Sequence, residues 1–287
     1  MFSLLLAASL VFSKGDANLA YDTAYRLVAE HTPRDAGTSR GRCAADFLLD
    51  AASAVGADVK RDEFYAKTPK GERKFVNLYS EFTSYGSPGW VVFVSHYDTK
   101  PGTKCPGAND GASTSGLLVA LANCLSSWRD RAVNVMLIWT DGEECMEAYL
   151  ENDGFWGSRR AAEMLKAKNV KVIGVFCLDM LGDRNLNISV AKNGSQKLFP
   201  IVTAASGKAN VPVEFSPVLV KDDHVPFLNA GFRAVDLIDF DFGSAPGGNE
   251  YWHTEADTMD KVSASSLFAA GRLVAEIVNL CDSAMRH

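Results

Sequence analysis

Residues 90–95 (WVVFVS), 132–140 (AVNVMLIWT), 170–178 (VKVIGVFCL) and 233–238 (RAVDLI) are short apolar runs rich in Val and Ile. Segments with helical spacing of apolar residues separate several of them, at 113–126, 158–167, 196–206 and 263–282, and two more precede them at 19–30 and 40–55. A strand that is apolar at nearly every position, not every second one, is covered on both faces. Such strands alternating with helices predict an α/β fold: one domain built on a mixed, mostly parallel twisted sheet flanked by helices on both faces. Ahead of these runs, residues 59–66 and 74–82 read as amphipathic strands, joined by the hairpin-type turn Thr68-Pro69-Lys70-Gly71. That hairpin adds antiparallel strands at one side.

The 287 residues suffice for a sizeable core, and no repeat, low-complexity tract or Pro/Ser-rich linker divides them, so residues 18–287 are expected to form a single domain. A formal net charge of −6 argues against a nucleic-acid partner, which needs a basic face. No apolar stretch reads as a stable membrane span. Residues 1–12 (MFSLLLAASLVF) are apolar, with small Ser13 and Ala17 following, so residues 1–17 resemble a signal segment that lacks the usual basic residue before it. On that reading the protein is secreted or periplasmic; the alternative is a buried N-terminal segment in a cytoplasmic protein. The six cysteines show no metal-type pairing, and Cys124 and Cys177 lie in apolar periodic segments, so buried free thiols are expected.

In sheets of this type ligands bind outside the carboxyl ends of the strands. The run 90–95 leads into His96-Tyr97-Asp98, 132–140 into Asp141-Gly142-Glu143-Glu144, and 170–178 into Asp179. The last run leads through a Gly-rich loop to Tyr251-Trp252-His253-Thr254. Every one of these strand ends delivers His, Asp or Glu. The adjacent Glu143 and Glu144 repel in a partly buried site unless a cation or a shared proton relieves them. A solvated turn is the ordinary home of such a pair, but not where other strand ends bring ligands to the same place.

Nitrogen and oxygen ligands without thiolates suit zinc at a catalytic site. His96, Asp110, Glu144, Asp179 and His253 are the candidate ligands. Asp110 lies in the glycine-flanked turn 107–112 (GANDGA), whose small residues let the backbone approach a metal closely. Asp98 is placed to hold the second imidazole nitrogen of His96. One carboxylate of the Glu143–Glu144 pair then binds the cation while its neighbour handles protons. His224 reads as a helix-cap or surface residue, His31 and His287 as surface residues, and Phe155, Trp156 and Trp252 as ordinary core aromatics.

The strings HYDTKPG (96–102), GANDGAS (107–113), DGEE (141–144), LDMLG (178–182) and YWHTEADT (251–258) together resemble the zinc peptidase family M28 and its relatives, the glutaminyl-peptide cyclotransferases. The resemblance runs from about Thr68 to the C-terminus. It implies Asp110, Glu144 and His253 as zinc ligands and Glu143 as general base and acid. In the aminopeptidases of the family, His96 and Asp179 would hold a second zinc bridged by Asp110. It further implies a non-proline cis peptide bond between Asp110 and Gly111.

The surroundings resemble the cyclotransferase branch. TPKGERKFVN (68–77) is similar to its hairpin, residues 145–156 match its longer link, and DDHVPFL (222–228) matches closely, as do Lys100 after HYDT and Trp252 before His253. Two positions depart: Tyr149 stands where those enzymes carry a tryptophan, and Lys221 where a glutamine is usual. The resemblance implies conversion of N-terminal glutamine in peptides or proteins to pyroglutamate, with one zinc; a two-zinc aminopeptidase is the alternative. Trp252, Tyr149 and Lys100 are the implied substrate contacts, and Asp179 and Asp222 an implied hydrogen-bonded carboxylate network beside Glu143.

Overall fold

Pro69 and Lys70 turn a hairpin between β1 (Val59–Thr68) and β2 (Gly71–Phe82), which pair antiparallel from Val59↔Ser80 to Thr68↔Gly71. In the computed structural model, which describes residues 9–150, 153–243 and 248–286, this hairpin forms one edge of an eight-stranded sheet. The remaining strands are β3 (Gly89–His96), β4 (Asn134–Thr140), β5 (Lys171–Asp179), β6 (Ser189–Val190), β7 (Glu214–Phe215) and β8 (Ala234–Ile238). Their order is β1-β2-β4-β3-β5-β8-β6-β7. The central strands β4, β3, β5 and β8 run parallel; β2 joins β4 and β6 joins β8 antiparallel.

The continuous apolar runs are explained by what covers each face. Val91, Phe93, Val135, Leu137, Phe176, Leu178, Val235 and Leu237 pack on one side with α1 (Lys14–His31), α2 (Ser39–Ala54), α3 (Thr114–Ser127), α5 (Phe199–Ala209) and α7 (Ala264–Met285). Their alternating neighbours Val92, Val94, Met136, Ile138, Val175 and Cys177 pack on the other side with α4 (Trp156–Lys168) and α6 (His224–Asn229). By length and composition α7 could cross a membrane, but its Leu267, Leu273, Val274, Ile277 and Val278 are spent in this core.

The short β6, β7 and α6 were not expected from the sequence. Two-residue strands carry no periodicity, and α6 is six residues long with Pro226 in its first turn. Helix α1 begins earlier than expected because Ser13 caps it: the Ser13 side chain accepts from the Asp16 N–H while Asp16 accepts from the Ser13 N–H. Of the apolar N-terminal stretch, Leu10 and Phe12 are buried, with the backbone of Leu10 paired to the Asn279 side chain. Residues 1–8, the first part of the expected signal segment, lie outside the described residues, as does His287. All six cysteines are free; Cys43 is exposed, the others buried.

Candidate active site

The carboxyl ends of the central strands converge as the sequence suggests. His96 is the last residue of β3 and Asp179 the last of β5, while Glu143 and Glu144 follow β4 directly. Asp110 comes from a single wide helical turn (Ala108–Ser113) ahead of α3, entered through Gly107 at φ 61 and turned at Gly111, φ 90. A Cβ on Gly111 would stand 3.0 Å from the His96 ring, so only glycine permits both the backbone angle and the close approach. The Asp110–Gly111 bond is not cis; among the described residues the cis peptide is Thr32–Pro33. The expected cis geometry is therefore corrected: Gly111 turns the chain through its positive φ.

Asp110 is the shared member of two ligand groups. Its Oδ1 lies 3.1 Å from His96 Nε2, which is 3.3 Å from Asp179 Oδ1. Its Oδ2 lies 3.4 Å from His253 Nε2, which is 2.9 Å from Glu144 Oε1. Within each group, His96–Asp110–Asp179 and Asp110–Glu144–His253, the ligand atoms lie within 4.8 Å of one another. Asp110 Oδ2 is buried without a hydrogen-bond partner. A buried oxygen left this way fits a cation.

Asp98 does more than was expected of it. Its carboxylate accepts the N–H groups of Gly142 (2.9 Å), Glu143 (3.1 Å) and Glu144 (3.2 Å), clamping the backbone that presents the glutamate pair. It stands 3.5 Å from His96 Nδ1, which makes no hydrogen bond, so its main grip is on the turn and not on the imidazole. Asp257 plays the corresponding part for the other turn, accepting from Asn109 N (2.7 Å) and Asp110 N (3.1 Å). The fully buried Arg34 donates to the carbonyls of Pro106 (2.7 Å) and Gly107 (2.6 Å). Neither Asp257 nor Arg34 was singled out from the sequence; each acts on backbone atoms distant in the chain, which leaves no local signal.

The glutamate pair is split electrostatically. Burial, followed by the charges of Glu144, Asp222 and Asp223, raises Glu143 well above the usual carboxylate range. Burial also pushes Glu144 up, but its hydrogen bond to His253 and the charges of His253 and Lys100 outweigh that and bring it to about 2. Tyr149 ties the two together, its hydroxyl 2.8 Å from Glu144 Oε2 and 3.3 Å from Glu143 Oε2.

Glu143, Tyr149, Asp179, Asp222, Trp252 and His253 face one cavity of about 200 Å³. Trp252 stacks on His253 (centroids 3.9 Å apart) and meets Phe240 edge-on; half-buried, it packs against the Met180, Ile238 and Phe242 cluster and also walls the cavity. Phe155 and Trp156 are buried core aromatics as expected. Lys100 does not line the cavity. It sits behind Glu144, its Nζ 3.3 Å from Glu144 Oε2, 3.0 Å from the Cys145 carbonyl and 4.9 Å from the centroid of the Tyr149 ring. Among the described residues no hydrogen bond joins Glu143 to Asp179 or Asp222; the charge of Asp222 acts on Glu143, and that of Asp179 on Asp222. His224 is fully buried, not on the surface: Nε2 meets the Asn193 amide nitrogen at 2.8 Å, and it shares a cluster with Asp222 and Asp236. His31 is half-buried, its ring tilted 35° against that of Phe47.

The sequence model of peptidase family M28 matches residues 77–278. The chain is 26% identical over 274 residues to the glutaminyl-peptide cyclotransferase of Dictyostelium discoideum, covering 78% of this chain and 74% of that one. Among solved structures, an Acidobacteriales bacterium glutaminyl cyclase superposes with a TM-score of 0.89 at 28% identity, over 99% of both chains. A leucine aminopeptidase precursor from Bacteroides thetaiotaomicron shares the fold, with a TM-score of 0.82 at 22% identity over 94% of this chain and 99% of that one.

Proposed function

The chain belongs to peptidase family M28, and from that premise and the geometry of its site we propose that it is a zinc-dependent glutaminyl-peptide cyclotransferase, closing N-terminal glutamine of peptides into pyroglutamate and releasing ammonia. The observation that carries this reading is the divided glutamate pair in an aromatic-walled cavity. Glu144 is held ionised against His253, while Glu143 is left uncoordinated and avid for a proton. Asp110, Glu144 and His253 are the proposed zinc ligands; their converging atoms and the orphaned Asp110 Oδ2 fit such an ion.

Zinc bound there would supply Lewis-acid polarisation of the glutamine side-chain carbonyl. Glu143 accepts a proton from the substrate's α-amine as that nitrogen bonds to the side-chain carbonyl carbon. It returns the proton to the amide nitrogen, which departs as ammonia as its bond to the same carbon breaks; no water is consumed. A carboxylate of raised proton affinity serves both halves. Because nucleophile and electrophile belong to one molecule, Trp252 and Tyr149 act by selecting the folded conformer and excluding water. The negative charges of Asp222 and Asp223 keep the proton affinity of Glu143 high, and Asp179 in turn acts on Asp222.

A two-metal aminopeptidase is favoured by one observation, the bridging position of Asp110 between the two ligand groups. In the cyclotransferase reading His96 and Asp179 instead hold each other and Asp110, leaving one tightly bound zinc. Ammonia detection on a glutamine-initiated peptide, run beside leucine release from a leucyl substrate, separates them. Ammonia without leucine is expected; leucine without ammonia overturns the proposal.

A further inference from the structure

The cavity containing Glu143 and Trp252 does not end at its mouth. It shares Val218, Val220 and Phe240 with a second cavity that extends to Glu214 and Asp241. The wall between them is apolar and left in water: Leu219 is 70% exposed, Val218 57% and Phe240 37%. Large exposed apolar side chains gathered beside a cavity mark a binding surface. At the far end, Glu214 projects from the exposed edge strand β7, and Asp241 accepts from the Asn187 amide at 3.0 Å. Among the described residues neither carboxylate has an ion-pair partner. Lys221 lines the mouth, its Nζ 3.3 Å from the Tyr149 carbonyl oxygen.

We propose that this groove is the subsite for the residues that follow glutamine, taking an apolar side chain second and Lys or Arg third and fourth. The inference rests on the cyclotransferase reading, since it seats the first residue beside Glu143. An extended peptide advances roughly 3.3 Å per residue, so its second side chain emerges at the mouth and the next ones travel along the groove. There Val218, Leu219 and Phe240 offer apolar contact, while Lys221 repels a cation in that position. Farther out, Glu214 and Asp241 attract one, and the net charge of −6 draws basic peptides to the surface.

The test compares the amidated peptides Gln-Leu-Lys-Lys, Gln-Leu-Glu-Glu and Gln-Gly-Lys-Lys by kcat/KM for pyroglutamate formation. The Lys-Lys peptide should exceed its Glu-Glu counterpart by about tenfold at low salt, mostly through KM, with the ratio shrinking as salt screens the groove. Leu should exceed Gly by several-fold, as expected for one partly buried side chain. Glu214→Lys should bring the Lys/Glu ratio to one or below. Equal kcat/KM for the two charged peptides, or a ratio untouched by Glu214→Lys, overturns the groove assignment while leaving the cyclotransferase standing. Pyroglutamate from none of the peptides overturns both.

Discussion

Glu143 and Glu144 share a peptide bond and face opposite fates. Glu143→Gln keeps the shape and removes the proton carrier, so turnover should fall by about two to four orders of magnitude with zinc content unchanged. Glu144→Gln, which exchanges the carboxylate against His253 for a neutral amide, should instead lose zinc. Metal analysis and turnover on the same preparations check both, and the reverse pattern would contradict the assignment. This pair was legible in the sequence because both residues sit at the end of an apolar strand. His224 was not, because a histidine after two aspartates looks solvated until the fold buries it. Burial pulls it from 6.5 down to about 4. A depressed pKa means that the unfolded chain binds the proton first: His224 contributes fully above pH 6.5, and its contribution, on the order of 3 kcal/mol, is lost as pH falls towards 4. Urea unfolding between pH 7 and 5 should therefore weaken more steeply in the wild type than in His224→Gln. Parallel slopes would rule this out.

At the scale of elements, the site is held by loops that grip one another through backbone N–H groups. Asp98, just beyond β3, accepts three N–H groups from the turn after β4. Asp98→Asn should leave the fold intact but lower zinc affinity by about 10- to 100-fold in a chelator competition, as loss of a residue supporting the ligands does. Unchanged affinity would show that the clamp is dispensable. The packing of α1 on α3 is equally specific: a Cβ on Gly116 would stand 2.2 Å from the Ala20 carbonyl oxygen. Gly116→Ala should cost about 1–3 kcal/mol in urea unfolding, because backbone cannot move aside as a flexible side chain would. The central strands and longer helices were readable from their apolar periodicity, and the hairpin from its turn. The roles of Asp257 and Arg34 were not, since they depend on contacts between segments far apart in the chain.

At the scale of the whole molecule, strand direction turns periodicity into a site. The parallel central strands send their carboxyl ends to one edge, where the turn at Asp110 and the His253 loop complete the ligand set. That arrangement supports both metal-assisted proteolysis and metal-assisted cyclisation, so fold alone does not choose the reaction. The proposed choice rests on the aromatic wall that Trp252 and Tyr149 give the cavity and on the likeness to glutaminyl cyclases, and on that reading the protein should retain about one zinc per chain after dialysis. The most direct measurement is the mass spectrum of a peptide beginning Gln-Leu after incubation with the zinc-loaded protein. The account predicts one product lighter by a single ammonia with every peptide bond intact; free glutamine and a peptide shortened by its first residue would contradict it.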